Sequence, residues 1–219
     1  MLLPLVLVPA YFFVATEIPH SAPPPANGAL SLSPAVPMVA PGQIQNYSTL
    51  TLRVPPRSAA ATTLSAVSPE GLDFQVPATP IPPGQNATVP VFISASPAIA
   101  AGTYEVSVVE TQGTSTRNQT FEVKVVPALV VMQAVAFHPP VLNVTTGTTV
   151  YWINLDSTIG CCDPGYHDVS LQGGGMNVTS PILRRLDTWS YTFQAQGQFY
   201  YYCTIHPWMV GTVVVQPAA

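Results

Sequence analysis

Apolar and polar side chains alternate with a period of two along much of this 219-residue chain. Tyr104, Val106 and Val108 interleave with Glu105, Ser107 and Val109, and Phe121, Val123 and Val125 with Glu122 and Lys124. Successive side chains of a strand point to opposite faces, so the pattern predicts half-buried antiparallel strands. Runs of this kind span residues 30–33, 47–54, 72–76, 87–94, 103–110 and 120–126, and turn-forming residues separate them. Further strand-like runs cover 141–144, 150–155, 191–193, 197–202 and 211–215. Almost no long helix-forming stretch is present, so the chain is predicted to be all-β with little helix.

The pattern is different at the start. Residues 1–15 are nearly all apolar, with Leu2, Leu3, Leu5, Val6, Leu7, Val8, Tyr11, Phe12, Phe13 and Val14, until Glu17 and His20 interrupt. This is short of the about 20 apolar residues of a spanning helix. It also lacks the basic start of a signal peptide, and Pro4 and Pro9 would disturb a helix. Residues 1–19 are therefore read as a signal or a membrane anchor, with cleavage and retention both open. Either reading places the rest outside the cytoplasm, at the cell surface, in a periplasm-like space or secreted, and an uncleaved segment would tie the chain to the membrane. Residues 20–28 include Pro23, Pro24 and Pro25 and suit a stiff polyproline II linker.

Residues 29–127 then offer about six or seven strands in about 100 residues, the density of an immunoglobulin-like β-sandwich. The run Gly102-Thr103-Tyr104 before an alternating strand resembles the penultimate strand of many such extracellular modules. This region has no His or Cys, and its acids are scattered, so it is expected to act as a spacer or docking surface. Residues 128–219 form a second domain, which carries the candidate chemistry.

Only 7% of residues are charged, and 10 acids against 6 bases give a net charge of −4. Nucleic acid is excluded as a partner, because its binding rests on clustered Lys and Arg. Acceptor sequons for N-glycosylation begin at Asn46, Asn86, Asn118, Asn143 and Asn177, five of the seven asparagines. That excess over chance favours an exported glycoprotein; unmodified sequons in a Thr-rich β protein are the alternative.

The candidate chemistry begins at Phe137-His138-Pro139, followed by Val141-Leu142-Asn143-Val144 and then Gly147 with Val150-Tyr151-Trp152-Ile153-Asn154-Leu155-Asp156. It resumes at Tyr191-Thr192-Phe193 and Gly197-Gln198-Phe199-Tyr200-Tyr201-Tyr202, which lead into Cys203-Thr204-Ile205-His206-Pro207-Trp208-Met209. These segments resemble plastocyanin- and amicyanin-like cupredoxins, and the compact C-x-x-H-x-x-M loop looks most like that of amicyanin. The resemblance implies a cupredoxin Greek-key β-sandwich holding one type 1 (blue) copper ion. It implies His167, Cys203 and His206 as ligands with Met209 as weak axial ligand, a set usable by both Cu(I) and Cu(II). His206 is expected to be the more exposed histidine. Pro207 and Trp208, with the Gly173-Gly174-Gly175 turn, would surround its edge with an uncharged electron-transfer surface. The implied function is an extracytoplasmic carrier of single electrons between a redox protein donor and acceptor, in a membrane-associated respiratory or oxidative chain, and not an enzyme. The alternative is a cell-surface structural, adhesive or copper-holding protein.

The chain departs from its relatives between Asp156 and His167, where a longer loop contains Cys161 and Cys162. A vicinal disulfide, two free thiols, an intermolecular bridge and an accessory metal site with Asp163 or Asp168 are all compatible with the sequence. Asp168 stands where relatives often carry Asn or Thr, which leaves the potential in doubt but not the ligand set. His20 and His138 are expected to face solvent, and Met176 to pack. Four histidines do not supply the paired ligands of a second copper in a multicopper oxidase or nitrite reductase.

Overall fold

The computed structural model describes residues 30–54, 60–158, 163–173 and 176–218, and every regular element among them is a strand. The first eight are β1 (Ser31–Ser33), β2 (Met38–Val39), β3 (Ile44–Val54), β4 (Thr62–Val67), β5 (Leu72–Gln75), β6 (Ala87–Ala95), β7 (Gly102–Gln112) and β8 (Ser115–Val125). They make two four-stranded sheets, ordered β1-β3-β6-β5 and β2-β8-β7-β4. β7 and β8 form a long hairpin from Gly102↔Val125 to Gln112↔Ser115, closed by Gly113 at φ 60°. Val106, Val108, Phe121 and Val123 from this hairpin meet Leu72, Phe74, Val91 and Ile93 from the facing sheet in one core. The alternation read in the sequence at β7 and β8 is thus the alternation of burial. β2 and β4 escaped that reading. Two residues are too few to alternate, and β4 buries Thr62 beside Leu64, so its inward face is half polar.

The second half contains β9 (Ala128–Gln133), β10 (Ala136–His138), β11 (Val141–Thr145), β12 (Thr149–Asn154), β13 (Ser170–Gly173), β14 (Met176–Thr179), β15 (Thr188–Thr192), β16 (Gly197–Tyr202) and β17 (Val210–Gln216). Its sheets are ordered β10-β9-β12-β15 and β11-β17-β16-β13-β14, with β9 parallel to β12 and β11 parallel to β17. Between them lies a core of Phe137, Trp152, Phe193, Phe199 and Tyr201. Tyr201 lies edge-on to Phe137 at 4.7 Å and to Trp152 at 5.6 Å. Its cross-strand partner is Gly211, where a Cβ would stand 2.3 Å from the Tyr201 Cζ. Only glycine leaves room for that ring.

β9 belongs to both cores. Ala128, Val130 and Met132 pack into the second, whereas Leu129 and Val131 pack into the first, with Ile153 and Leu155 beside them. A strand covered on both faces reads as a continuous apolar run rather than an alternating one, as Ala128-Leu129-Val130-Val131-Met132 does. The Gln43 side-chain amide donates to the Leu129 carbonyl at 3.1 Å, and the Lys124 ammonium sits 4.8 Å from the Tyr151 ring centre. Apolar packing, a hydrogen bond and a cation–π contact therefore join the two halves. The loops after β12, β16 and before β17 carry the candidate residues, which the sheets place together.

Candidate metal centre

The C-terminal loop is closed by its own backbone. Cys203 N–H donates to the Met209 carbonyl at 3.0 Å and Met209 N–H to the His206 carbonyl at 2.8 Å, directly above the Tyr202↔Val210 pair of β16 and β17. Cys203 is fully buried, Met209 is 2% exposed, and both side chains belong to the second core. His167 arrives from the other side, held in a two-way backbone bridge with Leu183: His167 N–H donates at 3.1 Å and Leu183 N–H at 2.6 Å.

This arrangement gathers three donor atoms. His167 Nδ1 lies 3.1 Å from His206 Nδ1, and Cys203 Sγ lies 3.8 Å from the first and 3.7 Å from the second. His, Cys and His, all buried, form the metal-capable group among the described residues. The outward nitrogens select the tautomer of a neutral ring. His167 Nε2 is 2.9 Å from Asp156 Oδ2, and His206 Nε2 is 2.8 Å from Asp163 Oδ2. A carboxylate only accepts, so both Nε2 atoms carry a proton, and in the neutral ring each Nδ1 then has its lone pair aimed inward. Two lone pairs and a sulfur facing one another repel, and a cation among them converts that repulsion into bonding. The triangle has the edge lengths that a first-row ion spans with bonds of roughly 2.0–2.3 Å. A thiolate with two imidazoles is a copper donor set.

Carboxylates organise everything around the triangle. Asp156 accepts from Ala134 N–H (2.7 Å) and Val135 N–H (2.9 Å) as well as from His167. Ala134 and Val135 have φ of 53° and 55°, so one side chain both ties down a left-handed turn between β9 and β10 and orients a candidate ligand. Asn154, wholly buried, donates at 2.8 Å to the carbonyls of Gly165 and Leu183 and accepts from Asp156 N–H at 2.9 Å. It joins both flanks of His167 to the end of β12. Asp168 N–H points at Cys203 Sγ (3.5 Å), and the Asp168 carboxylate accepts from the Thr204 N–H (2.6 Å) and hydroxyl. Burial pushes the Cys203 thiol up, and the N–H groups of Asp168, His206 and Ile205 pull it back. Asp163 is held well below the usual carboxylate range, first by Gly165 N–H (2.8 Å) and then by His206. Gly165 has φ +70°, and a Cβ there would meet the Ser157 carbonyl oxygen at 2.2 Å, so the loop bearing Asp163 turns where only glycine fits.

His167, Cys203 and His206 converge as the resemblance implied, and Met209 lies with Cys203 in the second core. His206 is the more exposed histidine, 6% against 0% for His167, yet it too is buried. The uncharged surround expected at its edge is interrupted, because the loop added before His167 lays Asp163 on Nε2. On the other side Trp208 is 71% exposed with its ring 5.4 Å from the His206 ring, and Pro207 and Ile205 are exposed beside it. His138 faces solvent, and Met176 packs on the second core, accepting a contact from the Tyr191 hydroxyl. Asn86, Asn118, Asn143 and Asn177 are exposed. Cys161, Cys162, Gly174, Gly175 and residues 1–29 lie outside the described residues. Sequence reasoning assigned no task to Asp156 or Asn154, although the Asn-x-Asp run after the tryptophan was visible, and it named Asp163 only as an accessory ligand.

A model of the copper binding proteins of the plastocyanin/azurin family matches residues 125–216. Amicyanin-alpha of Methylorubrum extorquens is 34% identical over 123 residues, which is 56% of this chain and 89% of that protein. Amicyanin of Paracoccus denitrificans is 34% identical over 80 residues, 36% of this chain and 58% of that one. A solved Cu(I) structure of an amicyanin variant aligns at 29% identity over 41% of this chain and 81% of that one, with a TM-score of 0.36.

Proposed function

The chain belongs to the plastocyanin/azurin family of copper-binding proteins, and from that premise we propose that it is an extracytoplasmic type 1 copper protein that carries single electrons between redox partners. His167, Cys203 and His206 would hold the ion, with the Met209 thioether as a weak fourth donor. The observation that carries this reading is the inward-facing set of two Nδ1 atoms and one sulfur, 3.1 to 3.8 Å apart. Copper bound there supplies a one-electron Cu(II)/Cu(I) couple.

The residues of the chain do the rest. Asp156 and Asp163 hold both imidazoles by their outer N–H, so neither ring needs to turn when the charge between them changes. The backbone closure from Cys203 to Met209 fixes the sulfur against the strands β16 and β17. The buried second core excludes water from Cys203. Trp208, Pro207 and Ile205 offer an apolar surface beside His206 on which a redox protein could dock. A membrane respiratory complex as partner, a membrane-tethered N-terminus and glycosylated sequons are further parts of the proposal.

For the first half we propose an immunoglobulin-like sandwich serving as spacer or docking module. The sheet orders β1-β3-β6-β5 and β2-β8-β7-β4 support it, since they match the A-B-E-D and G-F-C pairing of that fold.

The experiment is the visible spectrum of the copper-loaded, oxidised protein beside Cys203→Ser. An intense band toward the red that the variant lacks establishes copper–thiolate bonding. A wild-type protein that stays colourless and binds no copper removes the electron-carrier reading and leaves a surface-module role.

A further inference from the structure

Residues 128–219 carry six charged side chains, Asp156, Asp163, Asp168, Arg184, Arg185 and Asp187, and none of them lies in a strand. In so uncharged a domain, three of the four aspartates end on the candidate metal centre. Asp156 accepts from His167, Asp163 accepts from His206, and Asp168 clamps the residue after Cys203 while its own N–H meets the sulfur. Two of the three close donors are thus bonded to a carboxylate, and the third, Cys203, has the Asp168 carboxylate on its neighbour Thr204. No Lys or Arg side chain contacts these three carboxylates in the hydrogen bonds and ion pairs of the described residues.

We propose that these three aspartates form an anionic shell that tunes the centre toward Cu(II), so that the protein works at a lower potential than the same ligand set would with neutral neighbours. The inference rests on the copper reading above. The argument is Coulombic. Oxidation adds one positive charge at the centre, and each nearby carboxylate stabilises the oxidised form more than the reduced one. Asp156 and Asp168 are buried with the donors, at 7% and 5% exposure, so their charges are screened far less than surface charges, whereas the partly exposed Asp163 acts chiefly through its direct bond to His206. A carboxylate bonded to the outer imidazole nitrogen also makes the ring a stronger donor, which acts in the same direction.

Asp168 can be neutralised with both of its contacts kept, and Asp163 with one of its two kept. In Asp168→Asn the amide oxygen still accepts from Thr204 N–H, and the amide nitrogen can donate to the Thr204 hydroxyl. In Asp163→Asn the amide oxygen remains available to Gly165 N–H or His206. Asp168→Asn therefore tests charge rather than architecture, while Asp163→Asn tests charge together with the loss of one of two accepted hydrogen bonds. Exposed Glu105→Gln, on β7 of the other sandwich, makes the same change in net charge and serves as the control.

The measurement is the midpoint potential of each copper-loaded protein by spectroelectrochemical titration, with the Cu(I) and Cu(II) affinities determined separately by competition with chelators. Asp163→Asn and Asp168→Asn are each expected to shift the Cu(I)/Cu(II) affinity ratio about tenfold toward Cu(I), which for one electron is a rise of about 59 mV. The shift should arise mainly from weaker Cu(II) binding, and Glu105→Gln should move the potential by far less. A copper–thiolate band in all proteins with potentials unchanged, or lowered, in both aspartate variants overturns this inference and leaves the copper reading standing. Absence of that band from the wild type overturns the copper reading itself.

Discussion

Replacing Asp156 by alanine tests how far one carboxylate joins the fold to the centre. Its two oxygens accept three N–H groups, from Ala134 at 2.7 Å, Val135 at 2.9 Å and His167 at 2.9 Å. The two backbone donors belong to consecutive residues at φ 53° and 55°, and Val135 is β-branched, so the turn is held against its intrinsic preference by these bonds. A hydrogen bond to a charged acceptor contributes about 1.5–3 kcal/mol; because the turn is part-exposed and water can replace the acceptor, the lower value applies to each of the two, giving about 3 kcal/mol in Asp156→Ala. For a chain of this length that is a fall in Tm of about 6–12 °C. Urea unfolding of the metal-free protein, followed by tryptophan fluorescence, reads it directly, with a lower midpoint and an unchanged slope. In the same variant His167 loses its orienting partner, and copper affinity is expected to fall about 10–100-fold. Metal-free Asp156→Ala within about 0.5 kcal/mol of wild type would refute the argument that the carboxylate holds the turn. Normal copper affinity would refute the argument that it positions His167.

Gly211→Ala places a methyl carbon 2.3 Å from the buried Tyr201 ring, which Phe137 and Trp152 box in. A loss of about 3 kcal/mol, at the upper end of overpacking, should appear in urea unfolding and be relieved by Tyr201→Leu in the same chain. Trp208→Ala, at a side chain 71% exposed, should leave stability within about 0.5 kcal/mol of wild type. It should also slow electron self-exchange of the copper-loaded protein measured by NMR line broadening, and an unchanged rate would remove Trp208 from the docking surface. Burial raises the Glu110 carboxyl above its ordinary 4.5, so its contribution to stability is complete below that value and is lost as the pH rises through the raised folded pKa. Glu110→Gln should flatten the stability profile in that window, and superimposable profiles for the two proteins would contradict the assignment.

Much of the fold could be read along the chain because it is written locally. β7 and β8 alternate in sequence and in burial alike, and the runs before Gly147 and Cys203 fall on β11 and β16. Where burial is not one-sided the signal fades. β4 turns a threonine inward, and β9 is apolar from Ala128 to Met132 because each of its faces serves a different core. That second case also carried information about the two halves, since a strand apolar on both sides needs something to cover each side.

The sequence alone determined the all-β class, the sparse charge and the spacing that puts Cys203, His206 and Met209 on one loop, because each depends on neighbours in the chain. The convergence of His167 with that loop became visible only through resemblance. Tertiary structure alone decided the aspartates. Asp156 reaches Ala134 across 22 positions, Asp163 reaches His206 across 43, and Asp168 reaches Thr204 across 36. In sequence each is an ordinary polar loop residue, because no local period encodes which backbone N–H or imidazole the folded sheets will bring within 3 Å of its carboxylate.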